Sequence, residues 1–161
     1  MNNPSNRPAE WIEETVKRHA DTLYRTAAAI MGSKAEAEDA VQDVFVKLVE
    51  KQPHFESAEH ETAWLIRVTV NQCKSRLRTH WWKKTVPLLD TIPAATAAQH
   101  GITETVLSLP VKYRTVIHLY YYEGYSTKEI AEITKQRDAT VREQLTRARR
   151  MLRSFLEEEF A

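Results

Sequence analysis

The chain is poor in the residues that make hairpins and cross-links. Three glycines in 161 residues leave little turn chemistry for β-sheets. One cysteine, Cys73, forbids an internal disulfide and points to a reducing compartment. No stretch approaches the roughly 18 apolar residues of a membrane span, so direct membrane insertion is not expected. The first residues, "MNNPSNRPAEW", lack the apolar centre of a signal peptide. Net charge is +1, so the bulk balance names no partner and only the distribution of charge is informative. Catalytic signatures are missing as well. The six histidines are scattered, and there is no HExxH, no phosphate loop and no nucleophile beside a base. No enzyme activity and no cofactor are expected. What remains is a cytoplasmic, all-α protein.

Apolar residues recur at helical spacing over most of the chain. A first helix is predicted from Glu10 to Met31, with Ile12, Val16, Leu23, Ala27 and Ile30 on one face. Gly32 stops it, and Ser33 with Glu36 forms an S-x-x-E start for the next helix, Lys34 to Lys51. There Ala37, Ala40, Val41, Val44, Phe45, Leu48 and Val49 form the inner stripe. Pro53 closes it, and Ser57 can cap a third helix from Glu59 to His80, with Ile66, Val70, Cys73 and Leu77 inward. From Trp81 to Gly101 the sequence has two prolines and no helical period, which reads as a flexible linker. A short helix near Thr103 to Leu107 is followed by one from Pro110 to Gly124, then by Thr127 to Thr134 and Ala139 to Glu158. The organisation is two small helical domains, 1–82 and 102–161, joined by a linker over 83–101.

The segment "EGYSTKEIAEI" ends one helix on Gly124 and begins another on Ser126, whose S-x-x-E box closes on Glu129. Ile130, Ala131 and Ile133 face inward. A short turn, Lys135 to Arg137, leads to a helix that Asp138 can cap and that puts Val141, Leu145, Ala148 and Leu152 on its core side. This is a helix-turn-helix. Lys135 to Arg153 holds seven basic and two acidic residues, suited to a major groove. Arg137, Thr140, Arg142, Glu143 and Thr146 lie near the entering end or outer face and are candidates for base and near-phosphate contacts. Arg147 and Arg150, with Arg149 and Arg153, suit phosphates or solvent, and Thr127 and Lys128 can hold a backbone phosphate.

A second basic run spans Arg67 to Lys84, with six cations and no acid. Trp64, Arg67, Asn71, Lys74 with Ser75, and Arg78 form a stripe suited to single-stranded nucleic acid. Trp64 itself reads as packed into the domain, and Cys73 as a small core residue. On the Lys34–Lys51 helix, Asp39, Gln42, Asp43 and Val46 share the outer side. Asp39 and Asp43 have metal-ligand spacing but no third ligand. The alternatives are a solvated face and a docking patch for a basic protein.

"AEDAVQDVFVKL", "TAWLIRVTVNQCKSRLR" and "LPVKYRTVIHLYYYEGYSTKEIAEI…ATVREQLTRARRMLR" resemble, in that order, the motifs of bacterial RNA polymerase sigma factors of the extracytoplasmic-function (ECF) group. The resemblance implies a non-enzymatic specificity subunit. Asp39, Gln42 and Asp43, with Val46 on the same face, would dock on a coiled coil of the largest subunit of core RNA polymerase, with Phe45 in the core. The basic helix would engage the minus-ten element as it melts, through Arg67, Asn71, Lys74, Ser75 and Arg78, and Trp81 beyond. The loop with His54 and Phe55 would receive an extruded base. The helix-turn-helix would bind the minus-thirty-five duplex through Thr127, Lys128, Arg137, Thr140, Arg142, Glu143, Thr146, Arg147 and Arg150. Promoter DNA, duplex and melted, is thus one partner and core polymerase another; an anti-sigma factor is expected from the resemblance alone. Lys135 stands where the family commonly has a turn glycine, Ser75 where many members have aspartate, and Glu143-Gln144 replaces a common Ser-Arg pair. The rival readings are a stand-alone helix-turn-helix regulator and a degenerate sigma-like interaction protein.

Overall fold

A computed structural model describes residues 9–83 and 104–160, with backbone alone at 80–83 and 159–160. The helices are α1 (Ala9–Met31), α2 (Lys34–Lys51), α3 (Ala58–Lys83), one turn over residues 104–107 (α4), α5 (Val111–Ile117), α6 (Thr127–Thr134) and α7 (Asp138–Phe160). No strand occurs among the described residues. All but the first residue of the expected linker, 84–101, lies outside them.

The caps behave as their chemistry requires. Ser33 Oγ accepts the Glu36 amide at 3.4 Å, and Ser57 Oγ accepts the His60 amide at 3.0 Å. At α6 the box is reciprocal: Glu129 N–H donates to Ser126 Oγ at 3.1 Å and Ser126 N–H to Glu129 Oε1 at 3.0 Å. Those bonds hold the Glu129 carboxyl below its usual range. Gly32 and Gly124 both take the left-handed backbone, at φ 72° and 76°. So does Lys135, at φ 53°, because the turn needs that geometry whatever residue stands there. A side chain in this region strains the backbone. Lys135→Gly is expected to raise stability by about 0.5–1 kcal/mol net of the glycine's greater unfolded freedom, read as a higher urea midpoint with an unchanged slope.

α1, α2 and α3 pack together, and α5 and α6 pack on α7. Leu23, Ile30, Leu48, Leu65, Ile66, Ile130 and Leu145 are fully buried or nearly so, each contributing about 1.5–3 kcal/mol of transfer free energy. Thr15, Thr26 and Thr69 are buried too, because their hydroxyls bond back to the carbonyls of Trp11, Thr22 and Leu65 at 2.7–2.8 Å. Polarity alone would have placed them outside.

Four sequence expectations need correction. Val49, placed on the inner stripe of α2, is 44% exposed, and Phe45 is only half-buried. A core stripe of a two-sided helix is narrower than the run of apolar residues. α3 continues through Lys83, so Trp81 is helical instead of opening the linker; no proline or glycine interrupts the chain before Pro87. Its side chain is outside the description. Asp138 begins α7 without capping it: Oδ2 pairs with Arg142, and Oδ1 is buried with no hydrogen-bond partner. The helix after Pro110 is not uniform. It is α-helical to Ile117 and then widens into a π turn, His118–Tyr122, in which Glu123 N–H reaches His118 O at 3.1 Å.

That π turn stands at a seam. α5 and the π turn pack on α1, and α6 packs on α3, so the two helical groups touch across a single core. Arg114 of α5 is buried in the seam and donates to the carbonyls of Leu107 at 3.0 Å, Leu109 at 3.3 Å and Ile30. Burial lowers its guanidinium pKa. Glu123 pairs with Arg25 at 2.9 Å, and His118 lies 3.4 Å from Thr26 Oγ1. Burial outweighs the nearby Glu123 and pushes the His118 pKa down.

Candidate nucleic-acid and protein interfaces

On α2, helical spacing places Asp39, Gln42 and Val46 on one stripe, all exposed. Val49 extends that stripe. Sequence reasoning missed it by assigning it to the core, although its spacing of three residues from Val46 and seven from Gln42 is a signal for the same face. Val46 is 52% exposed, so the patch is acidic at one end and apolar at the other. Asp43 turns toward α3. Its Oδ2 accepts from Gln72 Nε2 at 2.9 Å and from Arg76 Nη2 at 2.5 Å. Arg76 also lies 3.5 Å from Glu36, and Gln72 Oε1 accepts from Lys47 at 3.0 Å. The Asp43 hydrogen bond, chiefly, raises the Arg76 pKa. The network joins α2 to α3, so one of the four predicted docking residues also fastens its own domain.

On α3, Arg67, Asn71, Lys74 and Arg78 share one stripe, beside Ser75. Asn71, Ser75 and Arg78 are exposed; Arg67 and Lys74 are half-buried. Burial, and then Arg78, lowers the Lys74 pKa. Arg67 Nε is buried without a hydrogen-bond partner. The loop before α3 turns on Gln52, at φ 39°, and exposes His54. Phe55 sets its ring edge-on to His60 and Trp64, with centroids 5.5 and 5.7 Å apart. Glu56 N–H donates to His60 Nδ1 at 3.1 Å, which leaves the neutral ring's proton on Nε2. Phe55, His60 and Trp64 form an aromatic wall at the head of the basic stripe. His60 was absent from the sequence reading because the cluster forms only when the loop folds back on α3. Cys73 is buried behind the stripe, and burial raises its thiol pKa to about 12, so it is a core residue and not a nucleophile.

On α7, Thr140, Arg142, Glu143, Thr146, Arg147 and Arg150 are all exposed, and Arg137 precedes them in the turn. Thr127 and Lys128 open α6, half-buried and exposed respectively. Two of the long side chains are already paired. Arg142 Nε meets Asp138 Oδ2 at 3.0 Å, and Arg147 Nη2 meets Glu143 Oε1 at 2.6 Å. Tyr113, and then Glu143, raises the Arg147 pKa. Exposed pairs of this kind add only about 0.3–0.5 kcal/mol, but they fix orientation. Arg142 keeps both terminal nitrogens free, the pair that a guanine edge accepts. Glu143 is neutralised by Arg147, which weakens its case as an independent cytosine reader. Arg149, assigned to phosphates or solvent, instead donates to Tyr121 Oη at 2.6 Å and lies over the rings of Tyr120 and Tyr121. Behind it runs an apolar groove of about 810 Å³ lined by Val106, Ile117, Tyr121, Tyr122, Leu152 and Leu156, with Arg149, Arg153 and Glu157 at its edges. The sequence reading missed this groove; Leu152, placed on the core side of α7, is half-buried and packs against the core while also lining the groove.

Residues 15–83 match the family model of Sigma-70 region 2, and residues 99–152 that of Sigma-70, region 4. Curated relatives align over most of the chain. SigL of Mycobacterium tuberculosis, an ECF RNA polymerase sigma factor, is 30% identical over 151 residues, covering 87% of this chain and 85% of SigL. SigM of the same species is 28% identical, covering 90% of this chain and 76% of SigM. SigW of Bacillus subtilis is 28% identical, covering 89% and 87%. Among solved structures, the sigma factor RpoE in complex with the anti-sigma factor NepR, from Bartonella quintana, superposes with a TM-score of 0.75 at 24% identity, covering 90% of this chain and 96% of RpoE. CnrH in complex with the cytosolic domain of CnrY gives 0.71 at 23%, covering 96% and 93%. Those two structures share the fold. With both regions in sequence order, and with a relative at 30% identity matched nearly end to end, this chain belongs to the ECF RNA polymerase sigma factors.

Proposed function

We propose that the chain confers promoter specificity on core RNA polymerase, with residues 1–82 as the docking and minus-ten domain, 83–101 as linker and 102–161 as the minus-thirty-five domain. The observation that carries this reading is the separation of three surfaces on one chain. Asp39, Gln42, Val46 and Val49 are exposed on α2. The α3 stripe with the Phe55–His60–Trp64 wall is suited to melted DNA, since rings stack bases and cations track phosphates. The α7 face is suited to a duplex major groove. The polymerase supplies the chemistry; this chain supplies the address. Each DNA face is modest by itself, so useful promoter affinity depends on the tethering that the assembled enzyme provides. The coiled coil of the largest subunit is the proposed site for the α2 patch. An anti-sigma factor is a further proposed partner, supported by the complexes in which RpoE and CnrH were solved.

The test is transcription in vitro with bacterial core enzyme on a promoter library. The expected result is RNA starting at a fixed distance from a shared two-part motif, in reactions with the chain and not without it. Tight, specific duplex binding by the chain alone, with start sites unchanged, would replace this reading with that of a free-standing regulator.

A further inference from the structure

α3 begins on a capping box in which histidine stands where α6 has glutamate. Ser57 Oγ accepts the His60 amide at 3.0 Å, as Ser126 Oγ accepts that of Glu129 at 3.1 Å. In the α6 box the carboxylate reaches back to the amide of the capping serine itself. His60 reaches one residue further. Its Nδ1 accepts the Glu56 amide at 3.1 Å, so the ring holds a residue that lies outside the helix, in the loop. Next to Glu56 in the chain is Phe55, whose ring stands edge-on to His60 and to Trp64, at 5.5 and 5.7 Å between centroids. Phe55 and Trp64 both pack against the core. One side chain of α3 therefore sets both the main chain at Glu56 and the edge of the Phe55 ring.

The bond does little for folding. Glu56 and His60 are exposed, and an amide released there finds water. What it fixes is the shape of the loop. The chain turns at Gln52, at φ 39°, and enters α3 at Ala58. Among the described residues, the bond to His60 is the hydrogen bond that ties residues 53–56 to α3. The aromatic wall is proposed above to meet melted DNA, and the role of His60 rests on that reading. We propose that His60 is the positioning residue of the loop: through Nδ1 it holds the Glu56 main chain, and with it Phe55, in the form that discriminates among bases before DNA arrives. A loop ordered in advance spares an ordering cost that binding would otherwise meet, a factor of about three to ten for one such contact. Only the base that fits the held form gains from it. Loosening the loop lowers affinity for that base and leaves the poorer fits as they were. Nδ1 is the working atom, so any side chain that puts an acceptor in its place can do the same work.

The test compares His60→Phe, which keeps a ring and deletes the acceptor, with His60→Asn, whose Oδ1 stands near the place of Nδ1 without a ring. Holoenzyme made from bacterial core polymerase and each full-length chain is bound to DNA whose minus-ten strand is unpaired and randomised, and the bound strands are sequenced. The wild type is expected to prefer one base at one unpaired position. His60→Phe should lose about threefold to tenfold of that preference and keep the rest, while His60→Asn stays within about twofold of the wild type. In the free chain, nuclear magnetic resonance should show the Glu56 amide slower to exchange in the wild type and His60→Asn than in His60→Phe. The melting temperature should move little in either variant, because the site is exposed. A wild-type pattern in His60→Phe overturns the proposal. So does an equal loss in His60→Asn, which would make the ring and not the acceptor the operative part. Loss at every position alike, with a lowered melting temperature, overturns it too and leaves His60 a merely structural residue. A wild-type holoenzyme with no preference at any unpaired base brings down the minus-ten reading and the role of His60 with it; Glu56 exchange in the free chain then still tells whether the histidine holds the loop.

Discussion

Asp39→Arg is expected to weaken binding to core RNA polymerase by at least about tenfold, and to cut promoter-directed RNA synthesis in step, without moving the unfolding midpoint. Asp39 is exposed on α2 and, among the described residues, makes no hydrogen bond or salt bridge, adding only a minor part of the field at Arg76. If the proposed docking site is basic, reversing the sign of Asp39 sets like charges together there, which costs several kcal/mol, against about 1.4 kcal/mol for each factor of ten. Co-migration with core enzyme and thermal melting of the free chain measure the two quantities separately. Asp43→Arg is the instructive contrast. It deletes the acceptor of Gln72 and Arg76 and puts a second guanidinium beside the first. That variant should lose about 1–2 kcal/mol of stability as well as binding, the figure being modest because Asp43 is 43% exposed. Unimpaired polymerase binding by Asp39→Arg would remove the α2 stripe from the account.

Arg142→Ala carries the second large expectation. A bidentate arginine–guanine contact discriminates by about 1–3 kcal/mol, so the variant should lose roughly 5- to 150-fold of preference at one base pair of the upstream element and little at the others. Arg142 is 65% exposed and is steered through Nε by Asp138. Its loss therefore removes readout and leaves the core of Val141, Leu145 and Ala148 in place. Arg150→Ala, at an exposed position proposed to meet a phosphate, should instead weaken binding to all sequences alike and reduce its salt dependence by about one counterion. Selection of bound duplexes from a randomised pool, at two salt concentrations, tells the two patterns apart. Uniform weakening by Arg142→Ala would make it a phosphate contact.

The helices were legible because their determinants are local. Ser33, Ser57 and Ser126 cap helices in the structure at the positions where the sequence motifs placed them, and Gly32 and Gly124 stop helices with left-handed backbone. The inner residues of the helix-turn-helix, Ile130, Ala131, Ile133, Val141, Leu145 and Ala148, are buried as their spacing requires. The candidate faces were legible only as lists of residues sharing a side. Asp43, Arg149 and Leu152 show the limit. Each lies on a face that periodicity assigns correctly to within about one helical position, yet its partner comes from another element: Arg76 on α3, Tyr121 in the π turn, the groove beside α5. The π turn itself left no trace in the apolar pattern, since one extra residue in one turn disturbs a period of 3.6 too little to be seen.

The sequence by itself determined the helical class, the helix boundaries to within a few residues, the family, and the division of charge among α2, α3 and α7. All of these rest on spacing and capping over a few turns of chain. Only the tertiary structure decided which charged groups are free to meet a partner and which are consumed within the protein. Arg76 and Arg114 look no different from Arg78 and Arg150 as letters, yet the first two are bound to Asp43 and to three carbonyls, and the last two are exposed. An ion pair or a buried donor is set by the three-dimensional approach of residues distant in sequence, and no local period encodes that distance.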